Sequence, residues 1–256
     1  MKKRNAIMLV SILFFFTIIV TSCQKEVEQI EGALPGLFSV SDNQKVRFSQ
    51  GNLQYQVSTN TWRFAEIQYS YGDLFGWGTG DNPTLSSDNY GAYGTFVDWG
   101  SNPISNGGNT ANRWRTLTPA EWKYLLNTRP GASSKLGMGN INGVGGLIIL
   151  PDNWTLPPSG CTFICGISSS YNDWTRNSYT LSQWAQMETA GAVFLPAAGY
   201  RVGTHVSSVG YNGNYWSSSP YNESCAYYMY FYGSNLTAAF SNGRYYGFSV
   251  RPVLDN

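Results

Sequence analysis

Residues 191–201 read GAVFLPAAGYR, and this stretch decides the fold. Within it, residues 192–195 form a short apolar run, which predicts a buried strand. Gly191 ends a helical pattern that begins at Thr180, because glycine is common immediately after a helix. The stretch therefore predicts a helix that is followed directly by a strand in the core.

Two short helices are predicted because the same capping pattern occurs twice. A threonine N-cap with Glu or Gln three residues later forms a capping box, which satisfies free N–H groups at the helix start. The two boxes are Thr118 with Glu121 and Thr180 with Gln183. Trp122 and Trp184 follow on the apolar faces, so we expect both to be core anchors. Each helix should run for about eleven residues.

Short apolar and β-branched runs bounded by Gly and Asn predict strands elsewhere. These runs are residues 37–40, 46–49, 53–57, 62–65, 147–150 and 192–195.

Residues 72–112 show no regular period, yet they contain Trp77, Tyr90, Tyr93, Phe96 and Trp99. So aromatic a stretch favours a packed functional loop over disorder. The expected fold class is α+β, with two short helices, small antiparallel sheets and long irregular loops.

The N-terminus has the order of a secretory signal. Basic residues at positions 2–4 precede an apolar run over 6–20 and small residues before Cys23. The apolar run is about fifteen residues long, below the roughly twenty that cross a bilayer. Residues 1–22 are therefore interpreted as a signal peptide that is absent from the mature fold.

Val20-Thr21-Ser22-Cys23 resembles the bacterial lipobox, in which the cysteine thiol is acylated and becomes the new N-terminus. The resemblance implies a lipid on Cys23 and a tether over 23–36; the alternative is an ordinary signal with a chance cysteine. Residues 24–28, QKEVE, resemble the Lys-plus-acidic tag of Bacteroidetes surface lipoproteins. We therefore expect a lipid-anchored protein of the outer membrane, exposed at the cell surface.

Composition excludes several classes of function. The 16 basic and 15 acidic residues give a net charge of +1 with no basic cluster outside the signal, so nucleic acid is not an expected partner. Once Cys23 is lipidated, Cys161, Cys165 and Cys225 remain and allow at most one disulfide. His205 is the only histidine, so neither a zinc site nor a Ser/His/Asp site is expected. No metal or cofactor is predicted.

Residues 226–232 read AYYMYFY, and as a strand they would alternate between two faces. The side chains predicted to face the core are Tyr227, Met229 and Phe231. The side chains predicted to point outward are Tyr228, Tyr230 and Tyr232. Outward tyrosines beside Asn and Ser are typical of antibody-like binding surfaces, because tyrosine gives large contact area at low entropy cost. The alternative is that these tyrosines pack against the loop over 72–112.

Three runs resemble the Fibrobacter major paralogous domain of Bacteroidetes lipoproteins. They are GAVFLPAAGYR (191–201), GNYWSSS (213–219) and a closing set of Arg244, Gly247, Ser249, Val250, Arg251 and Pro252. That domain is similar to the C-type lectin-like fold of formylglycine-generating enzymes and of variable proteins diversified by retroelements. The resemblance covers residues 37–254 and implies one domain with a C-type lectin-like fold.

The resemblance also implies roles for C-terminal residues. The implied scaffold residues are Trp216, Phe231, Gly247 and Arg251. The implied variable and ligand-binding residues are Ser219, Tyr221, Asn222, Ser224, Tyr228, Tyr230, Tyr232, Asn235, Ser241, Asn242, Tyr245 and Tyr246. Adenine-directed mutagenesis by a retroelement would yield many Tyr, Ser, Asn and Gly residues, as this region has.

The expected function is non-enzymatic: recognition or adhesion at the cell surface, with a protein or glycan ligand. The alternative is a structural subunit of a fimbria or envelope assembly. A formylglycine-generating activity is disfavoured because that chemistry needs a cysteine pair, and Cys225 has no late partner. Calcium-dependent sugar binding is disfavoured too, since the late region offers only Glu223 and Asp255. A structural ion in the long loop stays open, with candidate ligands Asp73, Asp81, Asp88 and Asp98.

Overall fold

The computed structural model describes residues 29–83, 85, 95–167 and 173–256, and it has a mixed α+β fold. Two short helices are present in these ranges, α1 (Pro119–Lys123) and α2 (Leu181–Thr189). The strands in chain order are β1 (Phe38–Ser39), β2 (Lys45–Phe48), β3 (Leu53–Gln56), β4 (Thr61–Phe64), β5 (Leu136–Ile141), β6 (Val144–Ile149), β7 (Ser178–Tyr179), β8 (Val193–Pro196), β9 (Tyr200–Val202), β10 (His205–Ser207), β11 (Asn212–Pro220), β12 (Cys225–Tyr232), β13 (Asn235–Gly243) and β14 (Val253–Asp255).

Both helices start as predicted. In each capping box the threonine side chain accepts from the N3 backbone N–H, and the N3 side chain accepts from the N-cap N–H. Helix α1 continues into a π-helical turn (Tyr124–Thr128), so the helical run is close to the predicted length. Trp122 and Trp184 are buried, which confirms both as core anchors.

The strands form several small sheets. In the described ranges their orders are β1-β2-β14, β3-β4, β7-β5-β6-β8, β9-β10 and β11-β12-β13. The predicted apolar runs at 147–150 and 192–195 give the adjacent strands β6 and β8, with Ile148 opposite Phe194. In the first sheet β14 pairs with β2, so the last strand joins one of the earliest.

The N-terminal part of the described chain also packs on the fold. Leu34 is buried in the core that holds Phe38 and Val253, and Ala33 forms a β-bridge with Ser49. Residues 1–28, which include the signal and Cys23, lie outside the described residues. No helix in the described ranges is long and apolar enough to cross a bilayer.

The sheet β11-β12-β13 separates two apolar cores. One of its faces contributes Tyr215, Met229 and Phe231 to the first core, which also contains Trp122. Its other face contributes Trp216 and Tyr228 to the second core, which also contains aromatic residues of the long loop. Because both faces are covered along much of its length, the side chains of β12 alternate between two cores.

The long loop packs as expected in the parts that the structure describes. Phe75, Trp77 and Trp99 are buried against Trp216 and its neighbours. Trp216 Nε1 donates to Phe75 O at 2.7 Å, which joins the loop to β11. The predicted loop aromatics Tyr90 and Tyr93, and the candidate ion ligand Asp88, lie outside the described residues.

The four implied scaffold residues, Trp216, Phe231, Gly247 and Arg251, are all buried. Gly247 has no room for a side chain, because an added Cβ would lie 2.6 Å from Arg201 Nε. Arg251 donates from Nη1 to Asn52 Oδ1 at 3.3 Å and from Nη2 to Gln68 Oε1 at 3.0 Å. Burial without a carboxylate ion pair among the described residues lowers the pKa of Arg251 to about 10.

Candidate binding surface

The middle of β12 differs from the sequence prediction at Tyr228. The prediction that Tyr228 points outward is wrong, because its exposed fraction is 3%. Its ring lies 4.6 Å from that of Phe248 and 6.0 Å from that of Trp216. The alternation itself is present, but the face assumed to meet solvent is covered by the second core at this position. Burial raises the pKa of the Tyr228 hydroxyl, which also hydrogen-bonds to Asn242, so the phenol stays neutral.

The opposite face of β12 agrees with the prediction in part. Met229 and Phe231 are fully buried, as predicted. Tyr227 shares their face by alternation but is only half-buried, so its prediction as a core residue is wrong. Its ring meets the exposed Tyr221 edge-on at 5.2 Å, at the hairpin between β11 and β12. The core ends before the strand does.

A partly exposed group of rings lies on the Tyr228 side of the sheet. Tyr230 stacks on Tyr232 at 6.2 Å and on Phe240 at 6.0 Å, with interplanar angles of 22° and 28°. Tyr230 and Tyr232 are half-buried, and Phe240 is 52% exposed. Tyr245 and Tyr246, 4.6 Å apart, are half-buried and join the group through Phe248 and Tyr228. We call these five side chains the aromatic strip: Tyr230, Tyr232, Phe240, Tyr245 and Tyr246.

Phe240 is a member of the strip that sequence reasoning missed. Alternation from the buried Ala238 would place Phe240 on the same face as Ala238, toward the first core. The pairing register shifts between Tyr228 and Tyr230, so that one residue of β12 faces two of β13. This β-bulge places Phe240 directly opposite Tyr228, on the strip's face. Nothing in the Ala-Ala-Phe sequence marks a bulge.

Two further features shape the end of the strip. Gly243 leaves space for a neighbouring ring, because an added Cβ would lie 2.4 Å from Tyr245 Cε1. Tyr200, half-buried on β9, packs against Tyr246 at 5.9 Å and extends the aromatic surface. Tyr200 belongs to the motif run around Gly199, but its contact with Tyr246 depends on the bridge between Arg201 and Gly247, which no local pattern predicts.

The remaining predicted contact residues divide into separate groups. Four of them lie at the β11–β12 hairpin: Ser219, Tyr221, Asn222 and Ser224. Ser241 lies opposite Tyr227 and so faces away from the strip, whereas Asn235 lies opposite Tyr232 and Asn242 opposite Ala226. The structure thus brings Tyr230, Tyr232, Asn235, Asn242, Tyr245 and Tyr246 to one face. It does not bring the hairpin residues to that face.

The hairpin residues have structural contacts of their own. Asn222 Oδ1 accepts from the backbone N–H groups of Ser224 and Cys225, at 3.0 and 2.8 Å. Arg244 Nη2 donates to Asn222 O at 2.5 Å, and its guanidinium lies 4.5 Å from the Trp77 ring. Burial lowers the pKa of Arg244. Asn222 therefore helps to close the hairpin, and Arg244 fixes that hairpin to the long loop.

In the ranges that the structure describes, no group of three or more His, Cys, Asp and Glu side chains that could hold a metal ion is present. Asp98 instead accepts from the N–H groups of Gly100 and Thr116, and Asp73 accepts from Tyr55 N–H. The cysteines outside the signal region are free thiols, Cys161, Cys165 and Cys225. His205 is exposed on β10.

Comparison with known proteins gives one match. Residues 172–253 match the model of a family described as a domain of unknown function (DUF8237). The matched region begins before β7 and ends at the first residue of β14, so it includes β11-β12-β13 and the whole aromatic strip. The comparison with curated proteins found no match, and neither did the comparison with solved structures.

Proposed function

We propose that the chain is a non-enzymatic recognition lipoprotein that binds a protein or glycan ligand at the cell surface through the aromatic strip. The observation that carries the proposal is the exposure of Phe240, a residue that is 52% exposed beside the half-buried Tyr230 and Tyr232. A contiguous exposed aromatic surface commonly marks an interaction site. Tyrosine offers such a surface an apolar ring and a hydroxyl at low entropy cost.

The strip rests on a rigid base, which suits recognition. Tyr230 packs edge-on against the buried Tyr228 at 6.1 Å, and Tyr228 packs in turn on Trp216 and Phe248. Side chains held in this way lose little further freedom on binding, so more of the contact energy is retained as affinity. Asn235 and Asn242 lie on the same face and add hydrogen-bonding groups. The strip itself contains no charged side chain, which favours a neutral or weakly charged ligand.

Substitution within the strip tests the proposal. Tyr230→Ala and Phe240→Ala should each weaken binding to whole cells, or to arrayed proteins and glycans, by roughly 30-fold, since aromatic hot spots contribute about 2 kcal/mol or more. Tyr221→Ala is the matched control, because Tyr221 is equally exposed but lies at the hairpin outside the strip. Binding that depends on Tyr221 and not on the strip would place the ligand at the hairpin instead.

We further propose a C-type lectin-like fold related to the Fibrobacter major paralogous domain. Two short helices, the pairing of β2 with β14 and the long irregular loops support this assignment. Diversification of the strip by a retroelement is part of the same proposal. A reverse transcriptase gene beside a near-copy of the 3′ end of this gene would support it, and a locus without either would count against it.

The membrane anchor is proposed from the lipobox at Cys23. Cys23→Ser should release the protein from the membrane fraction, and incorporation of a palmitate analogue should disappear because the acylated thiol is gone. Fractionation and in-gel detection of the analogue measure both effects. Cys165→Ser is the control, since Cys165 is an exposed free thiol in the folded part. Persistent labelling of the Cys23 variant would contradict the anchor.

One observation favours the alternative of a structural subunit. Strand β13 ends its sheet, and its nine residues, NLTAAFSNG, include no charged residue and no proline. Edge strands of monomeric proteins are usually protected by such residues against pairing with other chains. An assembly formed through this edge should be broken by Ala239→Lys, as measured by light scattering. A monomer at all concentrations would leave recognition as the better proposal.

A further inference from the structure

A second site lies away from the aromatic strip, between α2 and the N-terminal segment. It is a pocket of about 670 Å³ lined by residues of the segment 29–35, by Arg47 and Gln50, by Ile67 and Tyr69, and by one side of α2. This volume is within the range of about 300 to 1,000 Å³ that is typical of small-molecule sites. None of the residues predicted to bind a ligand lines it.

The walls of the pocket are largely apolar. Ile30, Leu34, Trp184 and Ala185 line it, and two large apolar side chains, Ile67 and Leu181, line it while being 43% and 49% exposed. Leu181 and Ala185 are four residues apart on α2, so they lie on one side of the helix. A largely apolar pocket whose lining includes two exposed apolar side chains suits a hydrocarbon chain that enters from outside.

Arg47 gives the pocket a cation. Its Nη1 donates to Pro35 O, and no carboxylate of the described residues lies within 4.0 Å of its guanidinium. The pocket's carboxylate, Glu188, accepts from Trp184 Nε1 at 3.1 Å. The guanidinium therefore remains able to pair with an anionic group of a ligand.

We propose that this pocket binds one acyl chain of an amphiphile whose anionic head group pairs with Arg47. The membrane is the source of this amphiphile. Gln29 lines the pocket and is six residues after Cys23, so a lipid on Cys23 would hold the pocket within roughly 20 Å of the bilayer, the length of six fully extended residues. Only this choice of source rests on the proposed anchor. The pocket itself is independent of the aromatic strip and of the ligand that the strip binds.

Photo-crosslinking tests the proposal with the full chain in isolated membranes. The probe is palmitate that carries a diazirine on its chain. After irradiation and tryptic cleavage at Arg176 and Arg201, the adduct should lie in peptide 177–201, which contains α2. Peptide 202–244, which contains most of the aromatic strip, serves as an internal control for non-specific labelling. Equal labelling of the two peptides would overturn the proposal.

Two matched variants locate the site more closely. Ala185→Trp fills the pocket and should lower labelling of peptide 177–201 by about tenfold or more, since loss of even two buried methylenes costs that much affinity. Gln186→Trp adds the same side chain at the next, exposed position of α2, outside the pocket, and should leave labelling unchanged. Melting curves of both variants show whether they fold. If Ala185→Trp does not fold, Ile67→Asn, at an exposed loop position of the pocket, takes its place.

The head group is tested separately. Arg47→Gln should weaken labelling by about tenfold, because a charge-assisted hydrogen bond is lost. A lysophospholipid carrying the same diazirine distinguishes a phosphate head group from a free carboxylate. Labelling that is equal in Ala185→Trp and Gln186→Trp would refute acyl-chain binding. Failure of the strip variants to affect recognition would not alter these results, so the two proposals fail independently.

Discussion

Asp152 connects three parts of the chain through its side chain. Its Oδ2 accepts from Ser39 N–H and Oγ–H and lies 3.2 Å from Lys45 Nζ, while its Oδ1 lies 3.1 Å from Arg129 Nη1. The Arg129 side chain is fully buried, so this carboxylate neutralises a charge that water does not reach. Burial by itself would raise the pKa of Asp152, but the hydrogen bonds from Ser39 and the two cations outweigh it and hold the pKa below its ordinary value.

This gives a prediction about acid stability. Since the pKa of Asp152 is lower in the folded state, its stabilising effect is complete above the unfolded pKa, about 4, and is lost as the pH falls through the folded value. Asp152→Asn should reduce the free energy of unfolding at pH 7 by about 3 kcal/mol, because Arg129 keeps a buried charge without its partner. Urea titrations between pH 7 and pH 2 measure both effects.

The control for Asp152 is Asp81→Asn, a change at an exposed carboxylate. It should alter the free energy of unfolding by less than about 0.5 kcal/mol at every pH. A parallel loss of stability in wild type and Asp152→Asn below pH 4 would show that another group is responsible for the acid sensitivity.

At the scale of elements, features that depend on neighbouring residues could be predicted from the sequence, whereas packing between distant segments could not. The capping boxes at Thr118 and Thr180 determine their own helix starts within four residues, so the sequence was enough to predict both. The inward side of β12 was predictable at Met229 and Phe231. Tyr228 was not, because only the tertiary fold brings Phe248 and the loop tryptophans over the second face of the sheet.

The same limit applies to the candidate site. Its tyrosines were identified from the alternation expected over residues 226–232 and from the family resemblance, but their division between the strip and the hairpin depends on how the strands pair. The bulge that turns Phe240 toward Tyr228 arises from pairing with β12, and alternation within β13 predicts the opposite face. A pattern read along one strand therefore gives candidate residues but not the surface that they form.

The two-core arrangement makes a prediction about β12. Tyr228→Ala should lower the free energy of unfolding by about 3 to 5 kcal/mol, as other buried aromatic truncations do, because it leaves a cavity beside Trp216 and Phe248. Tyr232→Ala, at a half-buried position near the end of the strand, should cost about 1 kcal/mol. Chemical denaturation of the two single variants gives the comparison. Equal and small losses would mean that the second core does not cover Tyr228.

At the scale of the whole molecule, the last strand completes the first sheet. Strand β14 pairs with β2 through Val253 opposite Phe48 and Asp255 opposite Val46. The paired residues are neighbours in space but lie near opposite ends of the described sequence. Arg115 strengthens this closure, since its guanidinium binds both Glu121 on α1 and Asp255 on β14 at 2.7 and 2.8 Å. The entropy lost in closing so long a loop must be offset by the contacts that β14 makes with β2. We therefore expect the first core to depend on the final residues.

Truncation tests this dependence. A chain that ends at Pro252 loses β14, and with it the buried Val253, the ladder to β2 and the carboxylate that Arg115 binds. Loss of the Val253 side chain alone is expected to cost about 2 kcal/mol, and loss of the strand's hydrogen bonds adds to that, so the melting temperature should fall by more than about 5 °C. The control removes Asn256 only, which keeps the strand and its ion pair and should melt close to wild type. A truncated chain with an unchanged melting temperature would show that β2 and the first core are complete without the C-terminal strand, and that β14 only covers their edge.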